Sequence, residues 1–260
     1  MGGAEINIDA TLFCGQSFAW SKVNERYQAV LGGRLVSFTN EEFPSLLERD
    51  REVAEYFDCS FDYPGAEEHL SHLDPYLGTC IETYSSLRIL RQDPWEVMIS
   101  FILSQNNNIA RIRGIYQKLS EAYGTKLGEG VYTFPRPEAL STVTEEELRA
   151  LGTGFRAPYI IDAIEKSHIL EEIEALSDAE AQEALIKIKG IGVKVSSCIL
   201  LFAYHRMRTF PLDVWMKRIM GERYPGRAPA FFAPYEGLAQ QYLFHAYRSE
   251  HGRKALGMSI

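Results

Sequence analysis

Two residues in the C-terminal half, Lys194 and Asp213, combine a type and a setting suited to covalent chemistry. Lys194 lies two residues after Gly192, in the first turn of an apolar stretch (residues 193–204) that reads as a helix. Most lysines are solvated surface residues. This one has Val193, Val195 and Ile199 as its near neighbours in sequence and the positive end of a helix beside it. Desolvation and the helix dipole both disfavour the ammonium form and so favour a nucleophilic amine. Asp213 follows Phe210-Pro211-Leu212, where proline imposes extended chain, and it stands at the N-cap of a helix over residues 214–220. A plain cap, worth about 1 kcal/mol, accounts for an aspartate there. Capping and catalysis can nonetheless coexist in one carboxylate.

What positions Lys194 is the segment before it. Residues 179–188 read as one helix and 193–204 as the next, joined by Lys189-Gly190-Ile191-Gly192. Two glycines one residue apart allow a tight turn and leave amides exposed at the start of the second helix, a setting for a phosphate oxygen. Ile188 and Ile191 are apolar anchors for the hairpin, and Lys187 and Lys189 are cations beside it. A bare Gly-x-Gly is weak evidence; the full helix–Lys-Gly-Ile-Gly–helix pattern matches an element that grips DNA backbone without reading sequence.

Charge distribution agrees. The chain of 260 residues carries a net charge of −8, yet residues 1–87 hold 5 basic against 15 acidic side chains, whereas residues 187–227 hold nine basic against two acidic. Such a cluster is often only a solvated face, but a basic patch on an acidic protein suits a local anionic ligand. With 46% of its residues hydrophobic the chain can bury a core. No apolar run is long enough to span a bilayer and no signal peptide is recognisable, so the expectation is an intracellular protein. The four cysteines, Cys14, Cys59, Cys80 and Cys198, lack metal-ligand spacing and read as reduced thiols.

The N-terminal part predicts a small antiparallel sheet, with strands at 17–21, 27–31 and 34–38 and a hairpin at Gly32-Gly33, extending to about residue 60. From about residue 65 the pattern is helical. Pro94 opens a helix through residue 103; another covers 109–123 with Gly124 as C-cap; Thr144 and Glu147 form a capping box before residue 151. The fold class is therefore α+β and mostly helical.

In combination these features resemble the helix-hairpin-helix glycosylases, and other segments narrow the resemblance to the 8-oxoguanine DNA glycosylase family. Phe13-Cys-Gly-Gln-Ser-Phe-Ala-Trp20, Leu90-Arg-Gln-Asp-Pro-Trp-Glu with the triple-Asn segment through Ile112, Leu151-Gly-Thr-Gly-Phe-Arg-Ala-Pro-Tyr159, and Phe210-Pro-Leu-Asp-Val are similar to that family's motifs in the family's order. The similarity runs from about residue 5 to 245. It implies an N-terminal antiparallel sheet domain (1–80) followed by two helical subdomains (81–260) containing the helix-hairpin-helix. It implies a bifunctional glycosylase and abasic-site lyase that flips 8-oxoguanine out of duplex DNA, with Lys194 as nucleophile and Asp213 as its partner. The resemblance assigns the pocket to Gly15, Cys198, Gln240 and Phe244. It assigns the gap and the orphaned base to Asn106, Arg111, Phe155 and Arg156, and the backbone to Lys187, Lys189, Gly190 and Gly192. Of the two arginines Arg156 is the stronger expectation for reading cytosine opposite the lesion, since it follows the wedge Phe155. No cofactor or metal is implied, and a monomer is expected.

The chain departs from the family pattern at Trp215 (His is usual), Ala19 (Arg), Phe155 (Tyr) and Gln105 (Ser), which bears on the pocket wall and the wedge. Two other readings stay open. One is a monofunctional alkylbase glycosylase using Asp213 alone; the other is a non-enzymatic helix-hairpin-helix DNA-binding protein. Iron–sulfur members are excluded by the cysteine spacing.

Overall fold

Residues 5–249 are described by the computed structural model. The chain opens with helix α1 (Ile8–Phe13), capped by the Asn7 side chain, and continues into strands β1 (Ser21–Val23), β2 (Arg26–Leu31) and β3 (Arg34–Phe38). Both reversals are two-residue turns with positive φ at each position: Asn24 and Glu25 at 48° and 61°, Gly32 and Gly33 at 56° and 80°. This twist matches the strands and sets the antiparallel order β1-β2-β3, with Tyr27 opposite Phe38. One face of the sheet buries Tyr27, Ala29, Val36 and Phe38 against Trp20, Phe43 and Phe57.

The first strand is shifted from its expected place. Residues 17–20 are not extended pairs, because Gln16 and Ser17 are buried in the seam between the sheet and the helical body. The Gln16 amide donates to the carbonyls of Thr11 (2.9 Å) and Arg88 (2.7 Å), and its oxygen accepts from the Leu90 amide (2.9 Å). Helices also begin well before residue 65. α2 (Phe43–Arg49), α3 (Arg51–Tyr56), α4 (Tyr63–Leu73) and α5 (Pro75–Thr83) use Asp50, Asp62 and Asp74 as caps for the last three.

The body follows as α6 (Pro94–Ser104) and α7 (Ile109–Tyr123), a short hairpin of β4 (Lys126–Gly128) and β5 (Val131–Tyr132), then α8 (Glu145–Ala150) and α9 (Ala157–Glu165). α10 (Ile169–Glu172), α11 (Asp178–Ile186), α12 (Val193–Phe202), α13 (Val214–Arg223) and α14 (Glu236–Arg248) complete it. The start signals hold: Asp93 accepts from the Glu96 amide, and Thr144–Glu147 form a capping box, as do Ser177–Glu180. Gly124 is the C-cap of α7 as expected, its amide donating to the Ser120 carbonyl, but not in the left-handed conformation. Its backbone is extended, and a Cβ there would run into the Thr133 carbonyl at the β4–β5 hairpin, which the sequence pattern did not reveal. A continuous core, with α6 and α12 packed at its centre, holds the hairpin before Lys194 in place. Ile188 and Ile191, 0% and 4% exposed, are its two anchors. Among the described residues no helix is long and apolar enough to cross a membrane.

Candidate active site

The loop between α11 and α12 turns at Gly190, whose φ of 83° and close approach to the Tyr159 ring both exclude a side chain. Gly192 differs: its backbone is extended and nothing lies within 4 Å of where a Cβ would be. It heads α12 without a side-chain cap, so the first amides of the helix face open space. Lys187 and Lys189 are exposed on this turn.

Lys194 follows on the first turn of α12 and is half-buried, its Nζ 5.2 Å from the centre of the Phe101 ring. One helical turn on, Cys198 is 3% exposed, and burial pushes its thiol pKa up, against the pull of the adjacent Lys194. Asp213 caps α13 as expected, its Oδ1 accepting from the Met216 amide at 2.7 Å. Lys194 and Asp213 line one cavity of about 40 Å³ with Gly15, Cys198, Gln240 and Phe244. Phe101, Phe202, Pro211 and Gln241 complete the wall. Of these, Phe101 and Phe202 carried only the generic signal of apolar helix positions. The cavity has room for about one water molecule rather than a purine.

Three residues define the floor. Gln240 is 4% exposed, and its Oε1 has no hydrogen-bond partner among the described residues. Gln241 donates to the Cys14 sulfur at 2.9 Å and so ties α14 to the Gly15 turn. Gly15 has φ 98°, which is what requires glycine; a Cβ there would make only ordinary contacts of 3.5 to 3.7 Å with Arg248, Phe244 and Ile109. The Phe244 ring therefore lies against Gly15 in this structure.

The triple-Asn segment divides its labour. Asn106 is exposed with φ 48°, Asn107 donates to the Leu103 carbonyl at the end of α6, and Asn108 caps α7. Phe155 is 47% exposed and meets Tyr159 edge-on. Arg156 is not the projecting arginine that the motif suggested. It is 2% exposed, and its guanidinium donates to the carbonyls of Gln105, Asn106 and Thr153. A planar five-donor group suits three converging carbonyls, so Arg156 holds the Asn106 loop in place. Arg111 is the exposed one, its guanidinium donating to the Gly152 carbonyl at 3.3 Å.

The basic cluster is likewise thinner than the count implied. Arg206 pairs with Asp178 and donates to the carbonyls of Ile173 and Leu176, and Arg218 pairs with Glu222. A larger cleft of about 600 Å³ lies elsewhere, between the β2–β3 turn, α3 and the start of α6. It contains Glu96, pushed up to about 7 by burial although Tyr116 donates to it. No lysine lines that cleft, and we assign the site to the smaller cavity. Among the described residues no group of three or more His, Cys, Asp or Glu is placed to hold a metal ion.

The arrangement brings together a glycine hairpin heading a helix without a side-chain cap, an amine and a carboxylate lining one cavity, and an exposed aromatic ring at Phe155. Residues 2–98 match the family described as 8-oxoguanine DNA glycosylase, N-terminal domain, and residues 99–228 match the HhH-GPD superfamily of base excision DNA repair proteins. A probable N-glycosylase/DNA lyase of Methanothermobacter thermautotrophicus is 33% identical, the match covering 76% of this chain and 75% of that protein. The Clostridium acetobutylicum 8-oxoguanine glycosylase/lyase, in complex with duplex DNA containing cytosine opposite 8-oxoguanine, superposes with a TM-score of 0.81 at 32% identity, covering 94% of this chain and 92% of that one. MBOgg1, in complex with a low-affinity DNA ligand, gives 0.84 at 34% identity, covering 97% and 94%. The chain belongs to the 8-oxoguanine DNA glycosylase family of the HhH-GPD superfamily.

Proposed function

We propose that this protein excises 8-oxoguanine from duplex DNA and then nicks the strand at the resulting abasic site. The observation that carries this reading is the convergence of Lys194, Asp213, Cys198, Gln240 and Phe244 on one cavity behind the hairpin. C1′ of a stacked nucleotide is out of reach of a side chain, so the nucleotide is flipped out. Its entry requires Phe244 to swing away from Gly15, after which the base lies between the Phe244 ring and Cys198. The unpartnered Gln240 oxygen accepts from the Watson–Crick edge of the purine, and the Gly15 carbonyl accepts the N7–H that guanine lacks.

The Lys194 amine attacks C1′, and the glycosidic electrons leave with the base. Asp213 takes or orients the amine proton and stabilises positive charge developing on the sugar. Loss of a second amine proton and opening of the C1′–O4′ bond give a Schiff base. This imine makes a C2′ proton acidic, and β-elimination expels the 3′ phosphate. The lysine argues against the monofunctional alkylbase reading, since a carboxylate alone would leave no covalent adduct.

Cytosine is the preferred partner opposite the lesion. Arg111 is exposed beside the wedge and its charge bears on Arg156. Guanidinium groups only donate, and cytosine offers N3 and O2 side by side, whereas adenine has one acceptor on that edge and thymine presents N3–H. The deciding experiment is borohydride trapping on duplexes with a single 8-oxoguanine opposite cytosine. A covalent adduct is expected with wild type, and its absence alongside base release would return the monofunctional reading.

A further inference from the structure

One face of α9 is aimed at the hairpin. The turn that carries Phe155 (Gly154–Arg156) runs without a break into α9, so wedge and helix form one continuous unit. Tyr159, which Phe155 meets edge-on, packs beneath Gly190. Three residues on, Asp162 accepts the backbone amide of Lys189 at 2.6 Å. Both Asp162 oxygens also accept from Lys166 at 2.9 Å, and the same Lys166 ammonium donates to the Lys187 carbonyl at 3.0 Å. Positions i, i+3 and i+7 share a helix face, so Tyr159, Asp162 and Lys166 all point at residues 187–190.

We infer that Asp162 is a positioning residue that fixes the register between the wedge at Phe155 and the backbone grip at residues 189–194. This rests on the base-flipping reading above. A carboxylate is an odd choice for pure adhesion here, because it puts negative charge beside a surface meant for phosphates. A hairpin merely needing stability could use a neutral acceptor. What the carboxylate adds is two simultaneous tethers, one directly to the Lys189 amide and one through Lys166 to the Lys187 carbonyl. These hold the turn at both ends against a rigid helix. Seven residues of helical rise separate Phe155 from Asp162, about 10 Å, so the distance between gripped phosphate and wedge is set by a helix rather than a loop. Binding energy gathered at the phosphate is then delivered where the base pair must be opened.

Asp162→Ala separates this role from stability when reactions are run under single turnover with saturating enzyme. The excision rate on 8-oxoguanine duplex falls by about tenfold or more. Cleavage of a pre-formed abasic duplex, which needs little wedging, stays within about twofold of wild type. Affinity for undamaged duplex is equal or tighter, since a negative charge has been removed. Asp162→Asn, which keeps an acceptor for the Lys189 amide but weakens the hold on Lys166, recovers only part of the excision rate. An excision rate within about twofold of wild type overturns the inference, as does a parallel fall in excision, abasic cleavage and binding. If wild-type protein forms no borohydride adduct on the abasic duplex, the lysine mechanism has failed rather than the clamp.

Discussion

At the scale of single residues, the site asks two side chains to do what their types allow. Lys194→Gln leaves the hairpin intact, so duplex binding persists while base release falls by at least ~10³-fold and the adduct disappears. Substantial base release in that variant would transfer the chemistry to water and Asp213. Asp213→Asn is the sharper control. Asparagine caps helices nearly as well as aspartate, so α13 keeps its bond to the Met216 amide and thermal stability moves little. The reaction, which needs the negative charge, slows by about 10²–10⁴-fold. Loss of stability with an unchanged rate would make Asp213 only a cap. At Gly15 a side chain is opposed by backbone conformation, while the protein around it leaves room for a Cβ.

Elements explain why the two arginines of the wedge region diverge. Arg156 sits at the junction of the wedge turn and α9, where carbonyls of the Asn106 loop converge on it; Arg111 lies on the exposed first turn of α7. Arg156→Ala removes the donor shared by these carbonyls and is expected to destabilise the fold by about 1–3 kcal/mol, slowing excision opposite every base. Arg111→Ala is expected to leave the melting temperature unchanged and to reduce discrimination between cytosine and adenine by about tenfold. Excision assays with each opposite base, beside thermal melts, separate the two; equal effects from both variants would undo the assignment. The hairpin makes a third element-scale prediction. Lys187 and Lys189 are exposed on it, so replacing both by glutamine lowers the slope of log K against log salt by about 1 to 2 for undamaged duplex. An unchanged slope would move the backbone grip elsewhere.

What was legible in the sequence follows the same division. Caps, the glycine hairpins and the helix-hairpin-helix were readable because their signals are local: Thr144 with Glu147, Gly190 with Ile188 and Ile191. The burial of Arg156, the hub at Gln16 and the α9 clamp on the hairpin were not, since each depends on partners 21 to 74 residues away. Nor does a run of arginines reveal which of them are paired, as Arg206 and Arg218 are.

Across the whole molecule, helix α12, which carries Lys194, is joined to the N-terminal region by a buried polar knot. α12 ends shortly before His205, whose Nε2 lies 2.8 Å from Asp58, the side chains being 6% and 0% exposed. Arg91, at 2.7 Å, and the Tyr63 hydroxyl, at 3.0 Å, also donate to Asp58. One carboxylate thus gathers groups from the segment after α3, from α4, from the strand-like approach to α6 and from the end of α12. Burial pushes the Asp58 pKa up, but His205 and Arg91 outweigh it and hold the carboxyl below its usual value. A carboxyl with a depressed folded-state pKa contributes stability that is present above its unfolded value, about 3.9, and is lost as pH falls through the folded one. Asp58→Asn is therefore expected to lose about 3 kcal/mol at pH 7, because it leaves a buried His205 facing a neutral amide. The gap to wild type should narrow below about pH 4, where the unfolded wild-type chain takes up a proton on this carboxyl before the folded one does. Urea denaturation of both proteins at pH 7 and at about pH 3 measures this difference without interference from the carboxylates that the two share. A gap that is the same at both pH values would mean that the knot is held by shape and neutral hydrogen bonds, and that the charge on Asp58 does not tie α12 to the N-terminal region.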